Sequence, residues 1–195
     1  MTKISSIGLP LVAWLLFCNC TSSPSGNSSV GTKSGEMAIW GDKTIMFPNE
    51  LRYMDVDRVV NLDSSYLLFH SKPRLISIVD ATCSKCIHNL INPLDSVFAD
   101  LLPSTQRFYI LIIPHDDSAF FMHHFYPEIR AQGQLIWDQD YYFETVNGLF
   151  TSNMHLRTFL LGPDNRILQS GNPLMDSNII EEYKKHLSVP TYQYK

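Results

Sequence analysis

The sequence predicts an α/β domain in which a central mixed sheet is flanked by helices on both faces. Three observations lead there. Arg74 to Asp80 (RLISIVD) and Arg107 to Ile113 (RFYILII) are short apolar runs rich in β-branched residues, which suits buried strands. Between them, apolar residues recur at helical spacing. Near the C-terminus, the turn-forming tetrapeptide Gly162-Pro163-Asp164-Asn165 separates two further short strands.

Taken in order, Trp40-Gly41-Asp42-Lys43 reads as a turn into a short strand, Thr44 to Phe47, ended by Pro48-Asn49. Asp55 to Leu62 is compatible with a second short strand, and Ser71-Lys72-Pro73 marks a loop. Arg74 to Asp80 is the first core strand. Cys86 to Leu102 follows with Ile87, Leu90, Ile91, Leu94, Val97, Phe98 and Leu101 on one face, and Pro93 predicts a kink because it removes a backbone donor. Arg107 to Ile113 is the second core strand. Ser118 to Ala131 is a helix that Pro127 bends or splits. Gln134 to Trp137 is a short strand, and Asp140 to Val146 a short helix or turn. Arg157 to Leu161 and Arg166 to Gln169 form a hairpin. Asp176 to Leu187 is the last helix, with Asp176 as its N-cap. Alternating strands and helices put helices on both faces of the sheet, with an antiparallel hairpin at its end.

Composition excludes several classes. Of 195 residues, 45% are hydrophobic, so a packed core is expected and a disordered chain is not. A net charge of −4 with scattered lysines and arginines gives no electrostatic basis for binding nucleic acid. No repeat of solenoid or propeller length is present. The sequence calls for no cofactor.

Residues 1–20 read as a targeting segment. Lys3 precedes an apolar run of 11, Ile7 to Phe17, which is short for a bilayer span but suits a signal peptide. Cys18 and Cys20 follow, then a Ser/Gly-rich tract. This pattern resembles a bacterial lipoprotein signal, in which cleavage occurs before a cysteine that receives lipid. Cys20 is the candidate, because the bulky Phe17 precedes Cys18; Asn19 precedes Cys20. The alternatives are a plain secretory signal or an uncleaved anchor. Residues 21–35 would form a flexible tether with a reach of about 20 Å, and residues 36–195 the folded domain. The expected location is the cell envelope, facing the periplasm, with the membrane as a partner through the lipid.

The chain has four cysteines. Two lie in the targeting segment, and Cys83 and Cys86 are spaced Cys-x-x-Cys in Thr82-Cys83-Ser84-Lys85-Cys86, so there is no disulfide framework of the kind that staples small domains. The pair falls between a buried strand and a helix. Thiolates are the nucleophiles of disulfide exchange, and a helix N-terminus favours a thiolate. Cys83 is therefore the attacking candidate and Cys86, one turn on, the resolving one. Lys85 adds a cation. Asp80 opposes a second negative charge at Cys83, or serves as a proton shuttle for Cys86.

The element order, with Cys-x-x-Cys between the first core strand and the first core helix, resembles the thioredoxin fold. More narrowly it resembles the membrane-tethered bacterial thiol–disulfide oxidoreductases of the TlpA/ResA type. Three stretches carry the likeness: Gly41 to Phe47 (GDKTIMF), Leu75 to Cys86 (LISIVDATCSKC) and Thr158 to Leu168 (TFLLGPDNRIL). The resemblance implies a thioredoxin-like fold, a redox-active Cys83–Cys86 disulfide, and the thiols or disulfides of exported proteins as partners. Two positions depart from the family. Leu156 stands where the family has a cis-proline, and Thr82 stands where tryptophan usually precedes the first cysteine.

Two other readings fit the same residues. One is a non-catalytic binding module in which Cys83 and Cys86 form a structural disulfide. The other is a copper site, because Sco-type chaperones combine this fold with two cysteines and a histidine near the position of His155; their cysteines, however, are spaced Cys-x-x-x-Cys. His88 lies near the pair and could join a metal set. His115-Asp116-Asp117 reads as a solvated loop, His123 and His124 point apart on a helix, and Phe120-Phe121 and Tyr141-Tyr142-Phe143 read as core and rim aromatics.

Overall fold

The computed structural model describes residues 40–41, 43–55, 58–61 and 72–188. The chain divides between Gly31 and Thr32, and every described residue belongs to the second unit. The predicted signal segment, Cys20 and the tether lie outside the described residues.

Among the described residues, seven strands form one mixed sheet: β1 Arg52–Asp55, β2 Arg58–Asn61, β3 Arg74–Asp80, β4 Gln106–Ile112, β5 Gln134–Asp138, β6 Thr158–Leu161 and β7 Ile167–Ser170. Their order across the sheet is β2-β1-β5-β4-β3-β6-β7. β3, β4 and β5 are parallel, while β1, β6 and β7 run antiparallel to their neighbours. The three parallel strands are buried on both faces, which is why they read as continuous apolar runs.

Side-chain alternation splits the core into two layers. Leu75 and Val79 of β3, Tyr109 and Leu111 of β4, and Leu135 and Trp137 of β5 join one layer. Ile76 and Ile78, Phe108 and Ile110, and Ile136 join the other. The first layer is covered by the helical run after Cys83 (α1 Ser84–Cys86, a π-helical turn Ile87–Ile91 and α2 Asn92–Leu101), by α3 Ser118–His124 and by α5 Ile179–Leu187. The second is covered by α4 Tyr142–Asn147 and by Trp40, Ile45, Phe47 and Leu51.

Most expected elements are present, with four differences. Thr44 to Phe47 is not a full strand: Thr44 makes a single bridge to Arg166, flanked by Ile45 N–H to Asn165 O (2.9 Å) and Ile167 N–H to Lys43 O (2.9 Å). The region around Asp55 is a hairpin, β1–β2, added to the edge of β5. Pro93, in the first turn of α2, follows a π-helical turn, so its missing N–H is absorbed by a widened turn. As expected, Pro127 splits the second helix, into α3 and a separate 3-10 turn, Tyr126–Glu128. Asp176 does not begin α5 directly. It accepts the Asn178 N–H (3.1 Å) in a short turn, and the helix starts at Ile179.

Candidate functional site

Cys83 sits in the connection from β3 to α1, at the C-terminal edge of the parallel strands. That edge is where open α/β sheets generally place their sites. The connection is specified locally. Ala81 N–H donates to Ile112 O (3.1 Å), extending the β3–β4 ladder by one residue. The Asp80 carboxylate then accepts both the Thr82 N–H (3.0 Å) and the Thr82 hydroxyl (2.6 Å), folding the chain into an Asx-type turn. Ile87 N–H donates to Cys83 O (3.2 Å), which starts the helical run. Cys83 is half-buried, while Thr82 and Lys85 are exposed. Cys86 is the last residue of α1, and its side chain lies outside the described residues, as does that of His115.

Three further elements reach the same edge. β5 ends at Asp138, whose buried carboxylate accepts the N–H groups of Tyr142 (2.9 Å) and Phe143 (3.0 Å) and so fixes the start of α4. Gly148, at φ 56°, closes α4, and its left-handed backbone favours glycine. This short helix holds Glu144, which is 1% exposed. Glu144 accepts two contacts from one guanidinium nitrogen of Arg157, at 2.8 and 2.9 Å. Arg157 immediately precedes β6, and its carbonyl accepts the Ile78 N–H (2.9 Å).

Burial raises the Asp138 carboxyl above its ordinary value, against the two helix N–H groups that favour the charged form. Burial raises Glu144 as well. The hydrogen bond and charge of Arg157 oppose this, and the nearby Asp138 and Asp80 carboxylates reinforce it. Asp80, Asp138, Glu144 and Arg157 therefore form one charged group behind the cysteine turn.

Leu156 is buried in the second core layer. The loop before it folds on itself: Asn153 N–H donates to Thr151 Oγ1 (3.0 Å), His155 N–H to Asn153 Oδ1 (3.1 Å) and Leu156 N–H to Asn153 O (3.0 Å). No cis peptide bond occurs among the described residues. His155 Nδ1 accepts the Asn172 N–H (3.1 Å), which ties this loop to the one after β7. His88 turns to Glu128, with Nε2 to Oε2 at 2.8 Å. His123 and His124 are exposed, Phe121 and Phe143 are core residues, and Phe120, Tyr141 and Tyr142 lie at the surface.

With this geometry in place, two solved structures share the architecture. The thioredoxin domain of a thiol-disulfide oxidoreductase from Bacteroides vulgatus matches 76% of this chain and 99% of its own, with a TM-score of 0.50 and 14% identity. A Chlorobium tepidum protein assigned as the thiol:disulfide interchange protein DsbE matches 76% of this chain and 97% of its own, with a TM-score of 0.50 and 12% identity. The fold is thioredoxin-like. No protein-family model and no curated protein matches the sequence. Within the thioredoxin-like fold, β3 leads into the Cys-x-x-Cys segment and β6–β7 is the hairpin read from Gly162 to Asn165; β1–β2 extends the opposite edge of the sheet.

Of the expected site residues, Asp80, Cys83 and Lys85 lie together in and beside one turn, and the hydrogen bond from Ile78 to Arg157 brings the Leu156 loop alongside it. Glu144, Arg157 and Asp138 were not anticipated as parts of the site. The available signal was a Glu144 directly after the core aromatic Phe143, and an Arg157 at the mouth of a fully buried strand.

Proposed function

We propose that this chain is an exported, lipid-anchored thiol–disulfide oxidoreductase that acts on the thiols or disulfides of exported proteins. The supporting observation is the place of Cys83: half-exposed, in a tight turn between a buried strand and a helical run, in a thioredoxin-like fold. A helix start favours thiolate over thiol, and Lys85 on the first turn adds to this. Leu156 packs into the core and Cys83 keeps part of its surface, which favours exchange over a covered, structural disulfide.

In the reaction, the Cys83 thiolate attacks one sulfur of a substrate disulfide. A mixed disulfide forms at Cys83, the substrate S–S bond breaks, and the departing thiolate takes a proton from water. Cys86, deprotonated, then attacks the Cys83 sulfur. The Cys83–Cys86 disulfide forms and the second substrate thiolate leaves. The substrate gains two electrons and the pair loses two; a dithiol donor returns them by the same steps in reverse.

The test is stoichiometric exchange with a model disulfide by the reduced full-length chain. Consumption of one disulfide per chain, abolished by Cys83→Ser, is expected; no exchange above the rate of free thiols overturns the activity. The anchor is tested by radiolabelled palmitate in a bacterial host, with label expected in the parent and in Cys18→Ser and absent in Cys20→Ser. Label that persists in Cys20→Ser overturns the assignment of that cysteine.

A further inference from the structure

We propose that the buried Glu144–Arg157 ion pair is a positioning device for Cys83: it fastens the loop that carries Leu156 to α4 and balances the carboxylates grouped behind the cysteine turn. The inference rests on the exchange reading above and names residues that set the reactivity of its nucleophile.

The pair is poorly explained as a stabilising contact. Glu144 is 1% exposed and the Arg157 side chain 11% exposed. Desolvating two charges to this degree commonly cancels their attraction. The geometry does not recover the cost, because a single guanidinium nitrogen serves both carboxylate oxygens, and Arg157 Nε is buried without a hydrogen-bond partner. An apolar pair of similar volume would serve the core at least as well.

Its placement points to the site. A continuous set of contacts runs from α4 to the cysteine: Glu144 to Arg157, the Arg157 carbonyl to Ile78 N–H, and two residues along β3 to Asp80, which holds Thr82 next to Cys83. The charges facing Glu144 are Arg157 from the β6 loop, Asp138 from the end of β5 and Asp80 from the end of β3. Those beside Cys83 in the chain are Asp80 and Lys85. Arg157 is thus the cation paired with Glu144, and the Asp138 and Asp80 carboxylates act on the same Glu144. An unopposed Glu144 anion would disfavour a thiolate at Cys83, and an unopposed Arg157 would favour it.

Two opposite effects follow, and they separate this role from a merely structural one. The readout is the pH dependence of iodoacetamide alkylation of Cys83, followed on its peptide by mass spectrometry, in the reduced full-length chain carrying Cys86→Ser. It reports the thiolate fraction and needs no exchange activity, so it stands even if the exchange assay fails. Glu144→Gln is expected to move the alkylation midpoint down by about 0.5 to 1 pH unit, a three- to tenfold gain in thiolate below the midpoint. Arg157→Gln is expected to move it up, the double variant to return it toward the parent, and Arg166→Gln, at the exposed pair with Asp164, to leave it in place. Singles that shift in the same direction, or folded singles that do not shift, overturn the proposal. If Arg157→Gln does not fold, Glu144→Gln decides alone: a downward shift supports the proposal, and no shift or an upward one overturns it.

Discussion

Replacing Asp95 with alanine should loosen the cysteine helix from the sheet. Asp95 lies on α2, in the same helical run as the cysteines, and is buried. Its carboxylate accepts four donors: Arg107 Nε (2.8 Å), the Tyr109 hydroxyl (2.9 Å) and the backbone N–H groups of Gln132 (2.8 Å) and Gly133 (3.2 Å). It therefore joins α2, the start of β4 and the loop entering β5 at one point. Removing it strands Arg107, whose side chain is 11% exposed, and breaking such a buried pair costs about 3–5 kcal/mol. The fully buried Tyr109 hydroxyl loses its acceptor for roughly 1–3 kcal/mol more. The Gln132 and Gly133 amides are only part-buried, and water recovers much of their share. Because Arg107 also regains some hydration, a total of about 4 kcal/mol is expected, lowering the melting temperature by roughly 8–16 °C for a domain of this size. Asp95→Asn keeps an acceptor oxygen and should lose about half as much. Thermal and urea unfolding followed by circular dichroism measure both. An Asp95→Ala variant within about 1 kcal/mol of the parent would refute the reasoning, because no buried charge would then have been left unpaired.

Two further perturbations follow. Gly171 sits at φ 151° after β7, and a Cβ there would overlap the Ile179 side chain and press on His155. Gly171→Ala should cost about 2–3 kcal/mol in urea unfolding, by strain and by displacing the start of α5. Asp138 has a folded carboxyl value raised above the ordinary 3.8, so the native state binds its proton more tightly than the unfolded chain. That contribution is complete below 3.8 and is lost as pH rises through the raised folded value; Glu144 acts with the same sign from 4.5 upward. Asp138→Asn should remove its share, so urea midpoints should fall less across that window in the variant than in the parent.

The parts of the fold visible in the sequence are those in which one local rule suffices. β3 and β4 are buried on both faces and declare themselves as unbroken apolar runs. The hairpin is marked by Gly162 to Asn165, and the end of α3 by Pro127. β1 escaped notice because Arg52-Tyr53-Met54-Asp55 is a short segment of mixed polar and apolar residues, legible only through its partners β2 and β5. Pro93 forecast a disturbance but not its form, since a kink and a widened turn both absorb a missing donor. The cysteine turn was legible as a candidate site because Cys-x-x-Cys concentrates its chemistry in four residues. Glu144 and Arg157 were not, because they are 13 positions apart and meet only once β3, α4 and β6 converge. Asp95 is hidden in the same way, with partners from Arg107 to Gly133.

The central claim, that Cys83 attacks and Cys86 resolves, is tested most directly by trapping. The reduced Cys86→Ser chain is mixed with a model protein disulfide, quenched with acid, and mapped by mass spectrometry. The expected result is a stable mixed disulfide at Cys83, released by added dithiol, and none in the reciprocal Cys83→Ser chain. Trapping at Cys86 in the Cys83→Ser chain instead, or no mixed disulfide in either, would contradict it.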